Sequence, residues 1–313
     1  MSNWQPTASP AALRRRAELL ARVREHFLMT NALEVTTPVL GAYASAEPTL
    51  ENLVVSGGGV QGFLRTSPES ALKRMLAAGS GDVYEIGPAF RGNEYGRLHL
   101  TEFTLLEWYR LGKNHHQLMD DVAALIASAG YSDGILRLTY ADLFQSCFAC
   151  DPHGVGTEEL MVLAGHLPLS PESLAGYDRS MLFDALFAHR MSARLSELGA
   201  VFVYDFPLEL RAYARLDDAN PPAAQRFELI IDGIEIANGY YEITNADEQA
   251  ACFAAENTLA QSRGIAPVQS DEFWLAALRT GLPPVAGVAL GIERLQLVLE
   301  SAATIADVTA FGQ

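Results

Sequence analysis

A chain of 313 residues with 49% hydrophobic and 19% charged content has the make-up of a folded globular protein, which excludes a disordered or fibrous one. Its 38 acidic against 22 basic residues leave a formal charge of −16, a mean field that repels phosphate and argues against a broad nucleic-acid surface. No apolar run reaches bilayer length, and Arg14, Arg15 and Arg16 stand where a signal peptide would be apolar, so no membrane partner and a cytoplasmic location are expected. The three cysteines, with a lone Cys147-x-x-Cys150, supply neither a disulfide framework nor a complete zinc site.

The spacing predicts a first helix opening at Ser9-Pro10, an N-cap followed by proline, with Leu13, Ala17, Leu20, Val23 and Phe27 turned inward. Leu33 to Val39 reads as an extended edge segment, because Pro38 cannot donate to a central ladder. Asn52–Val55 and Phe63–Arg65 form a hairpin across Gly57-Gly58-Gly59, a glycine run without the Lys-Ser/Thr ending of a phosphate loop. Ser67, in Thr66-Ser67-Pro68-Glu69, caps a helix containing Leu72, Met75 and Leu76 that stops at Gly79.

Val83–Ile86 and Glu102–Leu105 alternate as half-buried strands do, and they flank a loop holding Arg91, Asn93, Glu94, Arg97 and His99. Two arginines there suit phosphate oxygens, which guanidinium meets bidentately; a salt-bridged surface loop is the other reading, and the residues alone leave both open. A helix follows from His116 to Gly130, with His115 and His116 expected to face solvent. Residues 131–200 read as two helical stretches around Asp151–Gly154, with Phe183, Leu186, Phe187 and Leu195 in the core. Two alternating runs then meet at Asp232-Gly233, a tight hairpin signal, and place Glu235 on the face opposite Ile234 and Ile236, with Glu242 seven residues further on. Paired carboxylates with few other ligands suit Mg²⁺, although spacing alone is not specific. Gly287–Gly291 is a buried strand running into a helix that carries Arg294. No repeat, linker or low-complexity tract interrupts the chain, so one domain over 1–313 is expected.

Phe90-Arg91, Glu94, Arg97, His99 and Glu102-Phe103-Thr104 together resemble motif 2 of the class II aminoacyl-tRNA synthetases of the lysyl type. Leu106–Arg110 and the opening Trp4–Ser9 are similar to the elongation factor P beta-lysine ligases, free-standing paralogues of lysyl-tRNA synthetase. Glu235–Glu242 resembles the family's acidic segment and Gly287–Arg294 its motif 3, so the likeness runs from Trp4 to Phe311. The resemblance implies an α+β fold, a mostly antiparallel sheet flanked by helices, with a homodimer interface at the Leu33–Val39 segment. It also implies an enzyme that activates lysine or (R)-beta-lysine with ATP and Mg²⁺ and joins it to a lysine of elongation factor P. Catalytic roles pass to Arg91 and Arg294. ATP contacts pass to Arg91, Gly92, Asn93, Glu94, Glu235, Ile236, Gly291 and Arg294, amino-acid contacts to Ser67, Pro68, Glu69, Tyr109 and Glu242, and the metal to Glu235 and Glu242.

This sequence departs from that pattern in two places. Leu100-Thr101 replaces the family's Asn-Pro after the histidine, removing a side-chain amide from the ATP site, and Glu94 lies three residues after Arg91 rather than two, so either Asn93 or Glu94 takes the role of the motif 2 acid. The chain begins almost at the motif 1 helix, without the lysyl enzymes' anticodon-binding barrel, and has Ala289 where they have glycine, so no tRNA partner is expected. The alternatives are a truncated synthetase charging tRNA or another amine, and a non-catalytic lysine sensor.

Overall fold

The structure, a computed structural model, describes residues 4–312. By compactness the chain divides into two units, Met1–Ser132 with Glu242–Gln313, and Asp133–Tyr241. The first unit begins with α1 (Pro10–Met29), β1 (Leu33–Glu34), β2 (Leu40–Gly41), β3 (Leu53–Gly57), β4 (Val60–Leu64), α2 (Glu69–Ala77), β5 (Val83–Phe90), β6 (Glu102–Leu111) and α3 (His115–Ala129). The second contains β7 (Leu136–Thr139), α4 (Tyr140–Phe148), α5 (Thr157–Ala164), α6 (Pro171–Leu174), α7 (Arg179–Leu186), α8 (Ser192–Leu198), β8 (Ala200–Phe206), β9 (Ala224–Ile231) and β10 (Ile234–Tyr241). The chain then returns to the first with α9 (Ala246–Ser262), α10 (Glu272–Thr280), β11 (Val285–Gly291) and α11 (Ile292–Leu299).

In the first unit β6 pairs antiparallel with β5 on one side and β11 on the other, and β1 adds a two-residue parallel edge to β5. β2, β4 and β3 form a separate antiparallel sheet containing the expected glycine-tipped hairpin. Pro38 stays outside every ladder, as its missing N–H requires. α1 starts where its sequence signals it, with Ser9 Oγ accepting from Ala12 N and Pro10 in the first turn. Its inner face is centred on Ala12, Leu19, Val23 and Phe27, and Ala17, expected inside, is exposed. Phe27 stacks on Tyr84 at 4.2 Å and meets the edge of Trp108 at 5.5 Å, so α1 seals one face of the β5–β6 pair.

In the second unit β8, β9 and β10 are antiparallel neighbours and β7 runs parallel to β8. Asp232 and Gly233 both take positive φ, +52° and +78°, the conformation that lets a two-residue turn match strand twist. Tyr140, Phe144, Phe183, Leu186 and Leu195 are fully buried in this unit's core, and Phe187 packs half-buried against it. Between 131 and 200 there are a strand, five α-helices and a π-helical turn at Phe187–Met191 where two helical stretches were expected, because helices of four to nine residues show too few turns to display a period. His115 is also not solvent-facing: Asn114 caps α3 in a capping box one residue earlier than expected, which turns the His115 ring inward to 2% exposure.

The first unit holds a buried polar tie as well as an apolar core. Arg65 donates to Glu85 at 2.8 Å, to Thr37 Oγ1 and to the Pro88 carbonyl, while Glu85 also accepts from Thr37 N and Oγ1. Removing the guanidinium leaves a carboxylate that is 1% exposed without its counter-ion. Arg65→Met is therefore expected to lower unfolding free energy by about 3 to 5 kcal/mol in urea titration, and a loss below about 1 kcal/mol would show that water reaches Glu85.

Candidate active site

The loop between β5 and β6 is fixed at its base by two backbone hydrogen bonds, Arg91 N to Thr101 O and Gly92 N to Glu51 O. A Cβ at Gly92 would lie 2.8 to 2.9 Å from the Glu51 side chain, so the loop owes its seat to that missing atom. Arg91 lies over the Phe103 ring, 5.2 Å from its centre, and Nη1 is 3.7 Å from Glu94. Of the two residues in question, Glu94 is the one that meets Arg91; Asn93 is exposed at a φ of +56°. Arg294, in the first turn of α11, places Nη2 2.8 Å from His99 Nε2 and so brings motif 3 against the loop. α11 is pinned to β6 by Glu293, whose carboxylate accepts from Thr104 N and, at 2.6 Å, from Arg16 of α1.

Phe103, Glu107 and Tyr109 alternate onto one face of β6, so Arg91 stands on the same face as a second, buried group. Ser67 Oγ donates to Glu107 Oε2 at 2.7 Å and accepts from Glu69 N, and Tyr109 OH donates to Glu107 Oε1 at 2.7 Å. Ser67 is thus a bridge to the strand. The N-cap of α2 is Pro68, which has no side chain to cap with. Lys73, one turn into α2, sets its ammonium 2.6 Å from Glu69 Oε1 and 2.7 Å from Glu242 Oε2. A Cβ on Gly287 would stand 2.2 Å from the Tyr109 ring and 2.5 Å from Glu242 Oε1, so glycine is what allows these two side chains to meet over β11. Ser70 donates to Asp271, the N-cap of α10, and Trp274 of α10 lies over the Lys73 ammonium.

Burial dominates the acid–base behaviour of this cluster. It pushes Glu107 up to about 7, helped by the charge of Glu69 and opposed by the hydrogen bonds from Tyr109 and Ser67. It also raises Tyr109 well above its ordinary value, together with Glu107, Glu69 and Glu242. Burial drives Glu242 upward against the pull of Lys73. Lys73 feels burial in the other direction, yet its two carboxylates hold it above its ordinary value. The shared proton belongs on the nitrogen, since it has two anionic neighbours within 2.7 Å and each acid has one cation.

Four of the expected amino-acid contacts, Ser67, Glu69, Tyr109 and Glu242, are therefore brought together, with Pro68 buried beside them. Glu107 and Lys73 were not expected. A carboxylate within the apolar run Leu105–Tyr109, two residues before Tyr109, and a lysine four residues after Glu69 were the available signals. Gly291 caps α11 at an ordinary φ of −79°, and a Cβ there would meet only Arg294 at a comfortable 3.8 Å, so nothing within this unit demands glycine. That open backbone and the buried Arg91 Nε, which has no hydrogen-bond partner, fit an adenine nucleotide with phosphate at the guanidinium. Glu235 and the buried Ile236 belong to the second unit, on β10, beside a register shift between Glu235 and Ala237. Glu242 has one oxygen committed to Lys73, so only its other oxygen fits a metal ion.

The family description "tRNA synthetases class II (D, K and N)" matches residues 4–313, and the chain belongs to that family. Among its relatives are the elongation factor P–(R)-beta-lysine ligases of Vibrio cholerae and Vibrio vulnificus, each 40% identical over 99% of this chain and 98% of theirs. That of Photorhabdus laumondii is 36% identical over the same shares.

Folded Glu107 keeps its proton to about 7 while the unfolded chain releases it near 4.5, so the folded state binds more protons across that window and loses stability as pH rises through it. Glu107→Gln cannot ionise and is expected to gain on the wild type between about pH 5 and about pH 8, by at most about 3 kcal/mol, in paired urea titrations. An unchanged difference at the two pH values would assign the ionisation to another group.

Proposed function

We propose that this chain is an AMP-forming ligase that activates (R)-beta-lysine, or lysine, with ATP and transfers it to a lysine side chain of elongation factor P. The observation that carries the reading is a cluster of carboxylates, Glu69, Glu107 and Glu242, of which Glu107 shares a face of β6 with Phe103, the ring beneath an arginine with an unsatisfied buried nitrogen. Relatives named for this activity align with the chain from end to end. Cationic amines are what such a cluster selects, and phosphate is what the arginine selects.

In the first half-reaction a carboxylate oxygen of the substrate bonds to the α-phosphorus and pyrophosphate leaves with the electron pair of the broken P–O bond. Arg91 opposes the charge that builds on the α-phosphate, and Arg294, oriented by His99, holds the polyphosphate tail. Gly92, Asn93, Glu94, Ile236 and Gly291 complete the ATP site. Glu235 and Glu242 are the residues that would hold Mg²⁺, which would neutralise phosphate charge. Ser67, Pro68, Glu69, Tyr109 and Glu242, joined by Glu107, line the amino-acid site, with Glu69, Tyr109 and Glu242 at the amino acid's polar ends. In the second half-reaction the acceptor's neutral amine attacks the acyl carbon, AMP departs, and the amine's proton is lost to solvent.

The chain works as one catalytic domain over 1–313, in the cytoplasm, as a homodimer through the Leu33–Val39 segment. Among the described residues no helix is long and apolar enough to cross a membrane. The acceptor is a protein rather than tRNA because sixteen excess negative charges oppose the wide phosphate contacts that tRNA docking requires.

Arg91→Ala is expected to fold normally and to slow lysine-dependent pyrophosphate exchange by about 100- to 1000-fold; near-wild-type exchange would remove Arg91 from the reaction. The function itself is tested by competition. With ATP and radiolabelled (R)-beta-lysine or lysine, label should appear on elongation factor P and not on lysine tRNA present at equal concentration, as read by mass spectrometry and filter counting. Preferential labelling of tRNA would overturn the reading in favour of a truncated synthetase.

A further inference from the structure

Lys73 is one of only two lysines in a chain with twenty arginines. Its side chain is wholly buried, with the ammonium between Glu69 and Glu242 and 4.5 Å from the centre of the Trp274 ring. A buried ion pair rarely adds stability over an apolar residue of the same length, so its presence here is better explained by what its partners do. Those partners are two of the carboxylates that face the amino-acid pocket. Lys73 takes one oxygen from each and prevents either carboxylate from turning both oxygens on a ligand. For Glu242 the remaining oxygen lies beside Tyr109 above Gly287, in a space that a single Cβ would close. The lysine is itself held from three sides: by Glu69 one helical turn earlier, by Glu242, and by the α10 ring that the Ser70–Asp271 hydrogen bond keeps against α2.

We propose that Lys73 is a positioning residue of the amino-acid pocket, whose built-in ammonium orients Glu69 and Glu242 to receive the substrate's own ammonium group. The inference rests on the function proposed above and adds a part to its site. Without the Lys73 charge, the carboxylates are free to draw the substrate's amine into the place of Nζ, which misplaces the substrate carboxylate. Amino-acid binding is then impaired, and nucleotide binding at Arg91 and Arg294 is untouched.

Lys73→Met tests this through separate KM values for lysine and ATP in pyrophosphate exchange, with thermal unfolding as a check on folding. The KM for lysine is expected to rise at least about 30-fold while that for ATP stays within about twofold. Lys73→Met with Glu69→Gln relieves the carboxylate repulsion, and should recover melting temperature without recovering the lysine KM. The wild type gives a readout that needs no folded variant. With ¹⁵N-lysine labelling the protein shows only two side-chain ammonium signals, which Lys113→Arg assigns. Unlabelled lysine should shift the Lys73 signal and leave that of Lys113 in place. A folded Lys73→Met enzyme with an unchanged lysine KM, or a Lys73 signal unmoved by saturating lysine in an active wild type, overturns this inference alone. A wild type with no pyrophosphate exchange dependent on either (R)-beta-lysine or lysine overturns the proposed function and the inference with it.

Discussion

Strand β6 lies between β5 and β11 and is buried on both faces from Leu105 to Arg110, which leaves no solvent to satisfy the polar groups it carries. Each of them has to find a partner inside the protein. On the face under α1, Arg110 is paired with Asp121 and Asp82 and hydrogen-bonded to Thr30, so the end of α1 and the middle of α3 are tied to the strand. On the other face Glu107 is held by Ser67 and Tyr109, which fixes the approach to α2 and hence the position of Glu69. Demand for polar satisfaction along one strand thus arranges both the scaffold and the amine site.

The charges of the site follow from the same burial. Several carboxylates share a region of low dielectric with a single internal ammonium, an arrangement suited to a ligand that carries positive charge. The guanidinium groups of Arg91 and Arg294, which cannot lose their protons and suit phosphate, stand on other elements. On one face of β6, Glu107 stands four residues from Phe103, the ring that Arg91 lies over, so carboxylate and guanidinium are kept apart.

Much of this was legible because local chemistry determined it. The Ser9-Pro10 helix start, the Asp232-Gly233 turn and the Gly287–Arg294 strand-to-helix passage each depend on a few neighbouring residues, and each is found where the sequence places it. His115 was misread because its capping residue turns the first helical position inward, which depends on helix phase rather than composition. The short helices α5–α8 were merged because their apolar residues answer to a shared core and not to a repeat along the chain. Glu107 and Lys73 were hidden for a related reason. Period-two and period-four spacing put each on a face, but what made them part of a site was contact with residues up to 169 positions away, as in the Lys73–Glu242 pair.

The scarcity of lysine has a further chemical consequence. An enzyme that generates an acyl adenylate produces an electrophile, and amines are the groups it acylates. Of this chain's two lysines, one is sealed beneath Trp274 with both flanks occupied by carboxylates, and the other, Lys113, is bound to Asp121 at 2.5 Å with about a third of its side chain in solvent. Arginine supplies the remaining basic side chains, and its protonated guanidinium is no nucleophile. The protein thus presents its own product with almost no side-chain amine to attack, and the activated group is preserved for an acceptor that arrives from outside.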